Sequence, residues 1–197
     1  MPFMGLEPTT DCLIPLIETI ETQAKSAASD LDARAMKWRP PDGGWSVAQI
    51  LEHIVISTTL YIPPMRAIID DVTPGDGPFR PWKPSLMGGL LIRSLVPTAE
   101  RRLPTVGKLE PGPEPDTDVV RRFLGTLRHV TDLLWNAQGI DMRKPRMTSP
   151  VSPLVRRLNL GDGFVIVVVH AQRHMRQIDR VIASPGFPGE AVGTDGA

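Results

Sequence analysis

The sequence predicts an all-α protein built around four helices, and three observations carry that expectation. Prolines, 21 of 197 residues and about twice the ordinary share, cut the chain into blocks. They leave four proline-poor stretches of helical length, 11–36, 46–70, 116–138 and 161–183. Inside those stretches apolar residues recur every three or four positions, the spacing of one helix face. Only one run has strong strand character, and it has no second run to pair with. At 197 residues and 21.6 kDa, the chain suits one compact unit with its own core.

In the first stretch the stripe is Leu13, Leu16, Ile17, Ile20, Ala24, Ala27, Ala28 and Leu31, and Pro15 is tolerable only in the first turn of that helix. Pro40, Pro41, Gly43 and Gly44 end the block. The second stretch opens on Ser46 with Gln49 three residues on, a capping box, and Trp45 and Ile50 flank it as a hydrophobic staple. It is apolar at Val47, Ile50, Leu51, Ile54, Val55, Tyr61 and Ile62, while Pro63 and Pro64 predict a kink or a break. Residues 71–115 hold nine prolines and one apolar island, 86–95, able to form a short helix. In a helical bundle so long a connection reads as a crossover, which lets the helices on either side of it run parallel.

The third stretch has a clean helical period through Val119, Val120, Phe123, Leu124, Leu127, Val130, Leu133 and Leu134. A second proline-rich connector, 144–159, leads to the fourth, where Asn159 or Asp162 can cap the helix. Its opening FVIVVV has strand propensity, yet the helical pattern that follows it predicts helix. Residues 1–10 read as an extension and 185–197 as a frayed tail, which leaves 11–184 as the domain.

Lys and Arg number 22 against 22 Asp and Glu, so the chain lacks the basic footprint of a nucleic-acid or anionic-lipid binder. Neither partner is expected. A single cysteine, Cys12, excludes an internal disulfide framework and a cysteine zinc finger and fits a reducing cytoplasm. The first residues carry no signal-peptide pattern and no apolar run reaches the roughly 18 residues of a membrane span. Cys12 reads as a small core residue, and the four tryptophans as core or loop anchors.

The four histidines divide. His129 lies about 140° from the centre of its helix's apolar stripe and reads as a surface residue. His170 and His174 are an i, i+4 pair outside the polar arc of Gln172, Arg173, Arg176, Asp179 and Arg180, so they point inward at a spacing suited to one metal. The alternative is two half-buried imidazoles bonded to carboxylates or backbone. His53, on the flank of the second helix, supplies a third nitrogen, and three imidazoles from two helices make a facial site with open positions, as in catalytic zinc; nickel, iron or manganese suit it too. Beside these, Gln177 reads as a donor to the site or a simple interhelical bond, Glu52 as a surface carboxylate or a base, and Arg173 and Arg176 as a solvated face or a holder of carboxylates.

PDGGWSVAQILEHI, the PV of SPVSPL, and NLGDGFVIVVVHAQRHMRQIDRVI followed by PGFP resemble the DinB-like (DNA-damage-inducible, YfiT-type) four-helix-bundle superfamily over about residues 10–188. The resemblance implies an up-down-down-up bundle with a long crossover between the second and third helices. It also implies a divalent metal, usually zinc or nickel, at the positions that match here, His53, His170 and His174. Many members are similar to metal-dependent transferases of low-molecular-weight thiols, some isomerise maleylpyruvate, and members often form homodimers. The expectation is a cytoplasmic metal-binding protein acting on a small molecule through a metal-activated thiol or water. Its competitor is a non-catalytic stress-response or binding module with a structural metal or none.

Overall fold

The computed structural model describes residues 10–73, 82–96, 107–116, 118–144, 146–152 and 154–188. Parts of several expectations lie outside those residues: 1–9 of the extension, 74–81 and 97–106 of the long connection, and 189–197 of the tail. The described chain is mostly helical, as an all-α protein should be: α1 (Thr10–Ser29), α2 (Ala33–Lys37), α3 (Val47–Asp71), α4 (Leu86–Leu95), a 3-10 turn (Gly107–Leu109), α5 (Val119–Asn136) and α6 (Leu160–Ile182). Both α1 and α3 pack against α5 and α6, and α4 lies on α6.

Three local outcomes differ from the sequence expectations. The first proline-poor stretch is two helices, because Ser29 bonds the Ser26 carbonyl and Asp30 while Asp32 accepts from the Ala35 amide at 2.7 Å and starts α2. Short polar side chains of this kind compete with the backbone ladder. The second stretch runs through Pro63 and Pro64 as one helix, without the break that is one of the two alternatives there. Each proline removes one backbone donor, and the carbonyls deprived of it belong to Thr59 and Leu60, one exposed and one half-buried, where water can replace it. The third is a two-residue antiparallel ladder, β1 (Arg146–Met147) with β2 (Leu158–Asn159), immediately before α6.

α6 sets the frame of the molecule. Its first ten residues, 160–169, are all buried, since neighbours cover every side, and a helix apolar all round belongs in an interior. This burial overrides the β-propensity of FVIVVV. Its start is a capping box: Asn159 Oδ1 accepts from the Asp162 amide at 2.7 Å and Asp162 Oδ2 from the Asn159 amide at 3.0 Å. The same pair clasps α4. Asp162 accepts from the Ser85 amide, Asn159 donates to the Lys83 carbonyl at 2.9 Å, and the Trp82 indole donates to Asn159 at 3.0 Å. Gly88 has no side chain because none fits: a Cβ there would stand 2.2 Å from the Asp162 carboxyl carbon.

Trp38 meets Phe187 edge to face, as an anchor should, but Trp135 is 51% exposed and anchors no core. Cys12 is half-buried against the core. Among the described residues no helix is long and apolar enough to cross a membrane.

Candidate metal centre

The capping box at the start of α3 forms as its sequence predicts, Ser46 and Gln49 exchanging bonds of 3.1 and 3.2 Å. It fixes the phase of the helix, and that phase turns His53 inward, 4% exposed, with the Trp45 ring against the imidazole. From the facing helix, α6, His170 and His174 arrive one turn apart. His170 Nε2 is 3.2 Å from His53 Nε2 and 3.0 Å from His174 Nε2. The three histidines are brought together, and they could hold a metal ion. His129 lies exposed on α5, as expected.

The other ring nitrogens decide what those contacts are. His53 Nδ1 is 2.7 Å from the Leu109 carbonyl oxygen, an acceptor only, so Nδ1 carries the proton and Nε2 an open lone pair. His174 Nδ1 donates to Gln177 Oε1 at 2.8 Å. Ser57 Oγ gives its own proton to the Ile54 carbonyl at 3.0 Å and so receives the one on His170 Nδ1, at 3.3 Å. With these assignments each imidazole spends its single N–H outward, and the lone pair of His170 Nε2 faces those of His53 and His174 at hydrogen-bond distance with no hydrogen between them, all three atoms lying within 4.8 Å of one another. Three acceptors meeting this way repel unless a cation lies among them.

A proton is disfavoured there. Burial first, and then the neighbouring imidazoles and Arg173, hold His170 well below its usual range. Burial leads at His174 too, with His53, Arg173 and Arg180 adding, and takes it down to about 3 against the partial support of Gln177. Burial lowers His53 against the opposing bond to Leu109. Three neutral imidazoles are what a divalent metal requires. Two nitrogens at about 2.1 Å from a zinc-like ion stand roughly 3.0–3.4 Å apart, so the spacing, the donor type and the outward N–H bonds all fit one. Among the described residues no further His, Cys, Asp or Glu joins the three, and three protein ligands are the mark of an open site.

Glu52, weighed above as a base, is committed elsewhere: it accepts from the Gly112 amide at 2.8 Å and from Arg122 at 3.2 Å. With Gln49, which donates to the Gly112 carbonyl at 3.1 Å, it pins the loop that brings the Leu109 carbonyl to His53. Gln177 proves to be a partner of the site. Arg173 is half-buried and reaches the Ser94 and Val96 carbonyls at the end of α4, while Arg176 is exposed.

Sequence reasoning missed two supports. Ser57 stands one turn after His53, an i, i+4 spacing that could have been read. The Leu109 carbonyl comes from a proline-rich loop with no side-chain signal.

The sequence profile of the DinB superfamily matches residues 16–178, most of the chain, and the chain belongs to that superfamily. No curated protein and no solved structure matches it.

Proposed function

We propose that this member of the DinB superfamily is a metal-dependent enzyme acting on a small molecule. His53, His170 and His174 would hold one divalent transition metal, zinc or nickel before others, and leave positions open for a reactant. The observation that carries this reading is the convergence of three unprotonated Nε2 atoms whose opposite N–H groups are all engaged. A divalent ion there supplies Lewis acidity, lowering the pKa of a thiol or of water near neutral pH, for thiol-transferase-like or hydrolase-like chemistry.

The protein's own part is to hold that ligand set ready. Leu109, Ser57 and Gln177 keep each proton on Nδ1 and fix the ring planes, an outer support whose loss ordinarily lowers metal affinity by roughly 10–100-fold. Trp45 covers one side of His53 and excludes water there. We take α1, α3, α5 and α6 as an up-down-down-up four-helix bundle within a domain at 11–184, and the connection between α3 and α5 as its crossover; the packing of α1 and α3 on the same two helices supports it. A cytoplasmic homodimer completes the reading.

The test is metal content by plasma mass spectrometry on untagged protein purified without chelator, beside His53→Ala and His170→Ala. One equivalent of a transition metal, lost in both variants, is expected, followed by activity of the loaded protein on thiol-transfer or ester and amide substrates. Protein that neither carries nor takes up a metal would leave a non-catalytic module.

A further inference from the structure

The acceptor that fixes the His53 proton is a backbone group, the Leu109 carbonyl, so its position depends on whatever holds the loop that carries it. That loop, 107–112, is tied at three places. Lys108 Nζ donates to the Pro150 carbonyl, the Leu109 side chain is buried, and Gly112 is gripped from α3: its amide donates to Glu52 Oε2 at 2.8 Å and its carbonyl accepts from Gln49 Nε2 at 3.1 Å. Between the ties the Glu110 amide closes a turn on the Gly107 carbonyl at 3.1 Å.

Gln49, Glu52 and His53 stand at i, i+3 and i+4 on α3, so one side of its first two turns carries both the imidazole and the two side chains that place its backbone partner. Gln49 also serves the capping box. Glu52 instead turns its second oxygen, Oε1, to α5, where it accepts from Arg122 Nη2 at 3.2 Å. Arg122 makes that contact although its Nε is buried without a hydrogen-bond partner among the described residues. A continuous path therefore runs from Arg122 through Glu52 to Gly112, along three residues of backbone to Leu109, and from its carbonyl to His53 Nδ1 at 2.7 Å.

The bond made at one ring nitrogen decides the tautomer of a neutral imidazole, and so whether the other nitrogen offers a lone pair or an N–H. A nitrogen that carries hydrogen cannot ligate. A drift of the loop by about 1 Å takes the Leu109 contact out of hydrogen-bond range, and His53 Nε2 is then no longer kept bare. We propose that Glu52, braced by Arg122, is a positioning residue for His53: without touching the metal, the pair holds the 107–112 loop where the Leu109 carbonyl keeps Nε2 free to bind it. This rests on the reading of His53, His170 and His174 as a metal site, and it adds to that reading how one ligand is set from a third helix.

The experiment measures zinc affinity by competition with a chromophoric chelator and reads the His53 tautomer in metal-free protein from the nitrogen-15 shifts of its ring. Wild type should show Nδ1–H alone. Glu52→Ala should show a mixture of tautomers and bind zinc about tenfold more weakly, while Glu52→Gln, which keeps an oxygen for the Gly112 amide but no charge, should stay within about threefold of wild type. Arg122→Ala should fall between the two. Arg121→Ala, which breaks the neighbouring ion pair to Asp118 on α5, should move neither readout. Glu52→Gln as weak as Glu52→Ala would make the effect one of charge near the metal, and an equal loss in Arg121→Ala would make it a general loosening of α5; either overturns the positioning role while the metal reading stands. So does wild-type behaviour in Glu52→Ala or, should that variant fail to fold, in Arg122→Ala. Wild-type protein that takes up no zinc overturns the metal reading and the positioning role with it.

Discussion

The two halves of α6 each bury a polar cluster, and the clusters are built on opposite principles. At the N-terminal end every group has its complement. The Asp162 carboxylate, wholly buried, meets the Asn159 and Ser85 amides, and the Asn159 side chain gives to Lys83 and receives from Trp82 and Asp162. In the C-terminal half the outward bonds are equally complete, yet the inward sides are three acceptors, His170 Nε2 facing His174 Nε2 at 3.0 Å and His53 Nε2 at 3.2 Å. A closed network is finished by folding, whereas a cluster of like acceptors is finished only by something that arrives later. The first holds the fold together, and the second is a candidate site.

The comparison breaks most readily with metal. A ligand that binds only the native state stabilises it by about 4 kcal/mol at a thousand times its Kd, so wild-type protein should gain that much on saturation with zinc or nickel. His170→Ala should gain nothing, and its metal-free stability should stay close to wild type, since it removes repulsion along with packing. Calorimetry with and without metal checks both. A His170→Ala protein that still gains the full increment would place the metal elsewhere.

At the other end the effect should be indifferent to metal. Asp162→Ala strips the Ser85 and Asn159 amides of their acceptor, and unsatisfied buried donors cost about 1–3 kcal/mol each, so a loss of about 3 kcal/mol is expected in urea, the same in metal-free and loaded protein. Gly88→Ala should cost about 2 kcal/mol, in the range of overpacked cores, because the added methyl would collide with the Asp162 carboxyl and push α4 off α6. If either variant abolished metal binding while remaining folded, the two clusters would be one system.

Much of this contrast was legible in the sequence. The spacing of His170 and His174, the Ser46–Gln49 box that phases α3, and Asn159 with Asp162 ahead of an apolar run each follow from helix geometry and capping chemistry. What the sequence hid is whatever depends on chain-distant backbone: the Leu109 carbonyl on His53, 56 residues away, and the Ser85 amide on Asp162, 77 residues away. A backbone group has no residue type to read. Of the kink or break that Pro63 and Pro64 predict, the break does not occur, because whether a helix survives a missing donor depends on which side of it faces water.

Acid separates the clusters by sign. The three imidazoles are lowered in the fold, His174 to about 3, against an ordinary 6.5, so below pH 6.5 the unfolded chain binds more protons and metal-free stability falls with pH. Asp162 is raised above 3.8, by burial first, against its bonds to Ser85 and Asn159, so just above 3.8 the folded state binds the extra proton and acid favours it. Metal-free protein should therefore lose stability from pH 6.5 downward. His174→Ala should flatten that slope, and Asp162→Asn should leave it in place between pH 5 and 6.5. A slope unchanged in His174→Ala would mean that the imidazoles do not titrate as a buried set.

The smallest expected effect tests whether an unmatched polar group marks function by itself. Thr58 is next to Ser57 on α3, 1% exposed, and its hydroxyl has no hydrogen-bond partner among the described residues. No polar group of the described residues bonds to it, so by the contrast drawn above it is a cost and not a site. Thr58→Val keeps the shape and removes the unsatisfied group, and should raise stability by about 1 kcal/mol with metal affinity unchanged. Ser57→Ala, one residue away, should lower stability by about 1 kcal/mol and weaken metal binding by about tenfold, because its hydroxyl accepts the hydrogen bond from His170 Nδ1. Denaturant midpoints and competition with a chromophoric chelator read the two quantities separately. If the effects came out exchanged, convergence of lone pairs would lose its standing as the criterion for the site.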